Sequence, residues 1–274
     1  MIAALCYRTT NIGDDIQSLI TTKLFPINYL VDRDDYNIIY DYKTGNKIKK
    51  IPEKIYLIMN GWFMHNPSFI INDLKINFPY ENNLIRPIFL STNLSNPLLF
   101  SEKSLNYYKK FPPFYSRDKN TTDKLKKENI RCKTFGCLSQ LFEKKHLELR
   151  EIKKDTNNTI CFVDVIGAKE IFKNKHSPKD QIIEINHETQ EITNKNPLER
   201  LFLCEDLLKF YTTCKKIYTT RLHCFLPCRA LGLDVEYLGQ LDGRTEWLVR
   251  NKPDKNKMLS VVKNIKNRII NKEL

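Results

Sequence analysis

The chain has 274 residues, 41% of them apolar, enough to bury one large core or two ordinary ones and too many for a disordered tail. Lys and Arg outnumber Asp and Glu by 45 to 32, and the net charge of +13 points to anionic partners: phosphorylated metabolites, nucleic acid or acidic polymers. The excess is scattered as Lys-Lys pairs without a polybasic tract or an RNP, zinc-finger or heptad pattern, so specific nucleic-acid binding is not expected.

The opening "IAALCY" is a short buried-strand run, followed by the turn "RTTNIGDD" and by "IQSLITTKLF", whose Ile16, Leu19, Ile20 and Leu24 have helical spacing. The apolar run at the start is too short for a signal peptide, and nowhere does the chain approach the ~18 apolar residues of a membrane span. A soluble, cytoplasmic protein is expected, with its eight cysteines as reduced thiols, mostly small core residues. Strand running into polar loop recurs in "KIYLIMNGW" and "IRPIFLST", and again in "NIRCKTFGC" after the helical "TTDKLKKEN". This alternation predicts parallel sheets with helices on both faces. The polar stretch "FEKKHLELREIKKDTNN" then interrupts, and "TICFVDVIG" starts a second unit, so the expected division is residues 1–152 and 153–274. The second unit continues through "QIIEINHETQ", the long helix "PLERLFLCEDLLKFYTTC", the strand "KIYTT", the stretch "TTRLHCFLPCRALG" and the strand "DVEYLG". It closes on an amphipathic helix whose Leu259, Val262, Ile265 and Ile269 share one face, suited to docking on the protein's own core. Two α/β units in one chain commonly bind ligand in the cleft outside the carboxyl ends of their strands.

"TTRLHCFLPCRALG" holds His223, Cys224 and Cys228, all metal-ligand types, but a zinc site needs a second knuckle and the chain has no C-x-x-C pair. No metal is expected; Cys224 and Cys228, four apart on a helix, read as packing. Position is the stronger signal. Arg221 and His223 fall where a strand turns into a helix, whose N-terminal N–H groups and dipole favour phosphate or carboxylate. Arg221 adds a fork able to grip either anion bidentately, and His223 a group that exchanges protons near neutral pH. In the first strand-to-helix loop, Asn11, Asp14 and Asp15 are candidates for ligand contact, Asp14 alternatively for capping the helix. Gln17, one step inside that helix, reads as scaffold. Trp62 in "NGWFMH" is either a stacking platform for a ligand ring or a core residue, and His65 a candidate ligand-binding side chain. Asp118 is poised either to pair with Arg117 or to cap the helix that follows. His146 and His176 lie in charged stretches and are expected to be solvated.

Six segments in order carry a family resemblance: "NIGDDIQSL", "NGWFMHNP", "RDKNTTDKLKKENI", "FGCL", "FVDV" and "TTRLHCFLPCRALG". Together they resemble the polysaccharide pyruvyl transferase family. The resemblance implies two Rossmann-like lobes with mostly parallel sheets facing across a cleft, the GT-B-like architecture of many glycosyltransferases. It also implies transfer of pyruvate from phosphoenolpyruvate to sugar hydroxyls as a ketal, with release of phosphate and no cofactor. Arg117 and Arg221 would be the anion ligands and His223 the acid. Leu222 and Cys224 would flank the donor, and Asn11, Asp14, Asp15, Trp62, His65, Asp118 and His187 would bind substrate, Trp62 by stacking on a sugar ring and His65 through a hydroxyl or the phosphate. The expected partners are therefore phosphoenolpyruvate and a saccharide; the oligomeric state is left open. The chain departs from the family at Tyr115 and Ser116, where a Gly-Cys pair is usual, at Asn93 in place of a His, and in "LSQLF" after "FGC". These changes leave two alternatives standing: a nucleotide-sugar glycosyltransferase of the same architecture, and a degenerate member that binds a glycan or polyanion without turnover.

Overall fold

The computed structural model describes residues 1–51, 53–64, 69–71, 74–76, 82–149, 158–243 and 245–273. In the first half the chain runs β1 (Ile2–Cys6), α1 (Ile12–Leu24), β2 (Tyr29–Asp32), β3 (Ile39–Asp41), β4 (Ile55–Ile58), β5 (Trp62–Phe63), β6 (Phe69–Ile71), β7 (Leu74–Ile76), β8 (Ile85–Ile88), β9 (Leu90–Leu94), α2 (Glu102–Lys109), β10 (Phe114–Ser116), α3 (Lys119–Lys127) and β11 (Cys132–Thr134). The second half adds β12 (Thr159–Val163), α4 (Ala168–Lys175), β13 (Gln181–Ile185), α5 (Pro197–Tyr211), β14 (Lys216–Thr219), α6 (Leu222–Ala230), β15 (Val235–Tyr237), α7 (Glu246–Arg250) and α8 (Lys255–Ile270).

The fold is a mixed α/β arrangement of mostly parallel, Rossmann-like sheets. One sheet has the order β3-β2-β1-β4-β8, parallel except at β3, and a second has the all-parallel order β11-β10-β9-β5. The two are joined by the chain itself, since a single residue, Phe89, separates β8 from β9. The second half forms an all-parallel sheet, β13-β12-β14-β15. β1 and β12 are the residues expected of central parallel strands: five consecutive buried positions each, as strands covered on both faces require.

The two halves share apolar packing. Ile16, Leu19 and Ile20 of α1 belong to the same buried cluster as Leu201, Cys204 and Leu208 of α5 and Cys224 and Cys228 of α6. Burial of each such Leu or Ile is worth about 1.5–3 kcal/mol, so this face ties the N-terminal sheet to the C-terminal one. The closing helix docks as its periodicity suggests, burying Met258, Val262, Ile265 and Ile269 in that cluster; Leu259 is only half-buried. Seven of the eight cysteines are buried and Cys214 is half-buried. Among the described residues no helix is long and apolar enough to cross a membrane.

Candidate functional site

Loops after β1, β10, β13 and β14 converge at the carboxyl ends of the strands, the place where open parallel sheets bind ligands. There they enclose a cavity of about 120 Å³ whose lining includes Asn11, Gly13, Asp14, Trp62, Arg117, His187, Arg221, Leu222 and His223. Residues 100 and more apart in sequence thus meet on one small space.

Arg117 is the central observation. It is 1% exposed, follows directly on β10, and has its backbone N–H bound to the Thr92 carbonyl at 2.9 Å. Its Nε donates to the Ser91 carbonyl at 3.2 Å, one terminal nitrogen donates to Gln17 Oε1, and the other lies 3.5 Å from His223 Nε2. All three partners are neutral or polar, and among the described residues no carboxylate comes within ion-pair distance of the guanidinium. Buried charges are ordinarily paired. The nearest acidic side chain in the network, Asp14, is held one step away: Gln17 Nε2 donates to Asp14 Oδ1 at 3.2 Å while Thr9 donates to Oδ2 at 3.0 Å. Gln17, read from sequence as scaffold, is the amide that keeps the carboxylate and the guanidinium apart. Ser91, inside β9, has a positive φ of 61°, uncommon for a residue with a side chain, and this irregularity in the strand presents its carbonyl to Arg117.

His187 forms a second wall. It is fully buried; its Nε2 lies 2.8 Å from the Tyr211 hydroxyl, and its Nδ1 has no partner among the described residues. Burial pushes its pKa down to about 4, against the pull of Asp164 and with a small push from Arg221, so the ring is neutral at pH 7. Burial also raises the Tyr211 phenol well above its ordinary value, so that hydroxyl keeps its proton and can donate it to Nε2. With Tyr211 as the donor, the one proton of the neutral imidazole sits on Nδ1. That nitrogen lies 3.4 Å from where a Cβ on Gly13 would be, and His223 Cβ lies at the same distance. The absent side chain at position 13 is what leaves room between the two rings.

Arg221 is more constrained than its motif suggests. Its Nε donates to Asp164 Oδ2 at 2.7 Å and a terminal nitrogen pairs with Glu188 at 3.0 Å. Asp164, with φ of 53° just past β12, also accepts from the His187 backbone N–H at 3.1 Å. One carboxylate therefore orients both Arg221 and His187. Behind Arg221, α6 starts without a side-chain cap, and the N-terminal end of its dipole faces the cavity beside Leu222 and His223.

Several sequence candidates lie elsewhere. Asp15 does not line the cavity: it makes a bidentate contact with Arg200 of α5, 2.6 Å at the closest, and burial pushes its carboxyl up to about 7 against that guanidinium. Asp118 does not pair with Arg117; its Oδ1 caps α3 at Thr121 N, 2.8 Å, and its Oδ2 accepts from Thr121 and Asn93. Asn11, not Asp14, caps α1, accepting from Gly13 N at 2.9 Å, and the helix starts at Ile12, four residues before the apolar periodicity begins. Cys224 points into the core, away from the cavity lined by Leu222 and His223. Trp62 does border the cavity, and its indole N–H is bound to Ser95. His65 lies outside the described residues. His146 and His176 are not simply solvated: the first is buried and its Nδ1 accepts from Glu143 N at 3.0 Å, the second meets the Tyr218 hydroxyl at 3.0 Å.

The residues that sequence reasoning missed are Gln17, Asp164, Glu188 and Tyr211, together with Tyr237 and Thr245 on the cavity wall. Among the described residues no group of three or more His, Cys, Asp or Glu side chains is placed to hold a metal ion. No protein-family model matches the chain, and no curated protein matches it.

Proposed function

We propose that the protein transfers pyruvate from phosphoenolpyruvate to a pair of saccharide hydroxyls as a ketal, releasing phosphate, with its two halves acting as Rossmann-like lobes on either side of the cleft. The observation that carries this reading is the buried Arg117 guanidinium on the cavity wall with no carboxylate partner among the described residues. Such a group needs a bound anion. Phosphoenolpyruvate offers a phosphate and a carboxylate on adjacent carbons, and Arg117, the His187 Nδ1–H and the N-terminus of α6 are donors suited to both. The cavity, at about 120 Å³, is well under the ~300–1,000 Å³ of sites for larger ligands. That size favours a three-carbon donor over a nucleotide sugar.

In the reaction one sugar hydroxyl adds to C2 of the enol while C3 takes up a proton. The bond from C2 to the phosphate oxygen then breaks and the second hydroxyl takes its place. Of the two hydroxyl protons, one is accounted for on C3 and the other leaves with phosphate. His223 is the proton donor to C3: an incoming phosphate puts negative charge beside its Nε2 and Arg117, the condition in which an imidazole carries a proton. General-acid help of this kind is worth about 10²- to 10⁴-fold. Arg117 and the α6 N-terminus neutralise the departing phosphate.

The double pairing of Arg221 with Asp164 and Glu188 favours a second reading, in which the cleft holds an anion without turning it over. Saccharide-dependent phosphate release from phosphoenolpyruvate decides between them. Release that is stimulated by an added saccharide and lost in His223→Ala is the expected result. Thermal stabilisation by phosphoenolpyruvate with no release across a broad saccharide panel would leave the binding reading, and absence of both would sink the proposal.

A further inference from the structure

A second, larger cavity of about 490 Å³ lies between β10–β11 and the α7–α8 segment. Four lysines border it, Lys126, Lys133, Lys252 and Lys257, and none of them has an ion-pair partner among the described residues. Three rings and two aliphatic side chains supply its apolar wall: Tyr115 and Phe135 meet edge to face at 6.0 Å, Trp247 stands nearby, and Met258 and Val261 complete it. Lysine ammonium groups are point charges without the planar fork that grips a single phosphate bidentately. The N-terminus of α8 is not free for phosphate either, because Asp254 caps it by accepting from Lys257 N at 3.0 Å. Dispersed positive charge around aromatic faces fits negative groups spaced along a chain of rings.

The cavity adjoins the cleft. Tyr115 borders the larger space and Arg117 the smaller one, and the same holds for Trp247 and Thr245. Each pair is two residues apart, so two chain segments cross from one cavity to the other within about 7 Å. We infer that this cavity binds an acidic saccharide, with uronate-type carboxylates on the lysines and ring faces on Tyr115 and Trp247, and one end directed at the cleft. Its use as the acceptor site rests on the pyruvyl-transfer reading; its ligand class does not.

The chain has two tryptophans, so Trp62→Phe leaves Trp247 as the only indole reporter. In that background, tetragalacturonate should shift Trp247 fluorescence saturably and bind at least tenfold more tightly than neutral maltotetraose. The double variant Lys133→Glu, Lys257→Glu alters exposed side chains and should weaken tetragalacturonate at least tenfold with unchanged Tm. Equal binding of the neutral sugar, unchanged affinity in the double variant, or an equal response to inorganic polyphosphate or a nucleoside diphosphate would overturn the assignment. Arg117→Met should bind tetragalacturonate as the parent does; loss there would place the sugar in the cleft and overturn it too. If uronate binding meets these tests while no saccharide stimulates phosphate release, the transfer reading fails and the pocket's ligand class stands.

Discussion

Replacing Arg117 by Met tests whether its charge awaits an anion or is already compensated inside the protein. The side chain is 1% exposed, and its partners are the Ser91 carbonyl, Gln17 Oε1 and His223 Nε2. In the ligand-free protein the change removes a buried charge whose desolvation costs several kcal/mol. Against this, Ser91 O and Gln17 Oε1 each lose a donor, at about 1–3 kcal/mol apiece. The two effects nearly cancel, and at roughly 2–4 °C per kcal/mol the ligand-free Tm should stay within about 5 °C of wild type. Arg200→Met is the contrast, because it leaves the buried Asp15 carboxyl and the Thr9 and Ile192 carbonyls without the hydrogen bonds Arg200 gives them. Breaking such a pair costs about 3–5 kcal/mol, or roughly 6–20 °C. The assay is a thermal melt with and without phosphoenolpyruvate. At 100 times Kd the wild type gains about 2.7 kcal/mol, read as roughly 5–10 °C, and Arg117→Met gains nothing. If Arg117→Met falls as far as Arg200→Met without ligand, the guanidinium is compensated internally and the argument for an anion site is refuted; a retained ligand shift would refute it equally.

Three further outcomes follow from the same geometry. The folded value of His187 is depressed from 6.5 to about 4, so as pH falls through that window the unfolded chain takes up the proton first; stability present above pH 6.5 should decline by about 3 kcal/mol towards pH 4, and chemical denaturation should show that share missing in His187→Gln. Asp118→Ala removes the cap of α3 and should cost about 0.5–2 kcal/mol while leaving phosphoenolpyruvate affinity within about twofold, since the carboxylate faces Thr121 and Asn93; a tenfold loss in calorimetry would contradict its placement. Gly13→Ala gains up to about 1 kcal/mol of helix propensity but puts a methyl 3.0 Å from Asn11 Oδ1 and 3.4 Å from His187 Nδ1, so anion affinity should fall roughly tenfold with Tm little changed, and unaltered affinity would show that the two rings do not hold the ligand.

Much of the fold can be read locally, because burial on both faces of a parallel strand leaves an uninterrupted apolar run. "IAALC" and "TICFV" are such runs, and both are central strands. Where a polar residue is buried by a distant partner, local reading stops. The first turn of α1 has the polar sequence "IGDD", yet Asp14 and Asp15 are both buried, one held by Thr9 and Gln17 and the other by Arg200, 185 residues away. The helix therefore begins four residues before its apolar periodicity does. Asp118 shows the same limit: a cap and an ion pair with Arg117 look alike in "SRDKN", and only the position of Thr121 N separates them.

By itself the sequence determined the class of the fold, the strand-to-helix turn on which Arg221 and His223 sit, and the positive balance that points to anions, since all of these depend on near neighbours or on composition. Only the tertiary structure decided what each charge means. Arg117 and Arg221 are the same side chain on similar turns, but Gln17 keeps Asp14 off the first, whereas Asp164 and Glu188 close on the second. The charge state and freedom of a buried group are set by what surrounds it in space, and those surroundings are assembled from segments more than 100 residues apart.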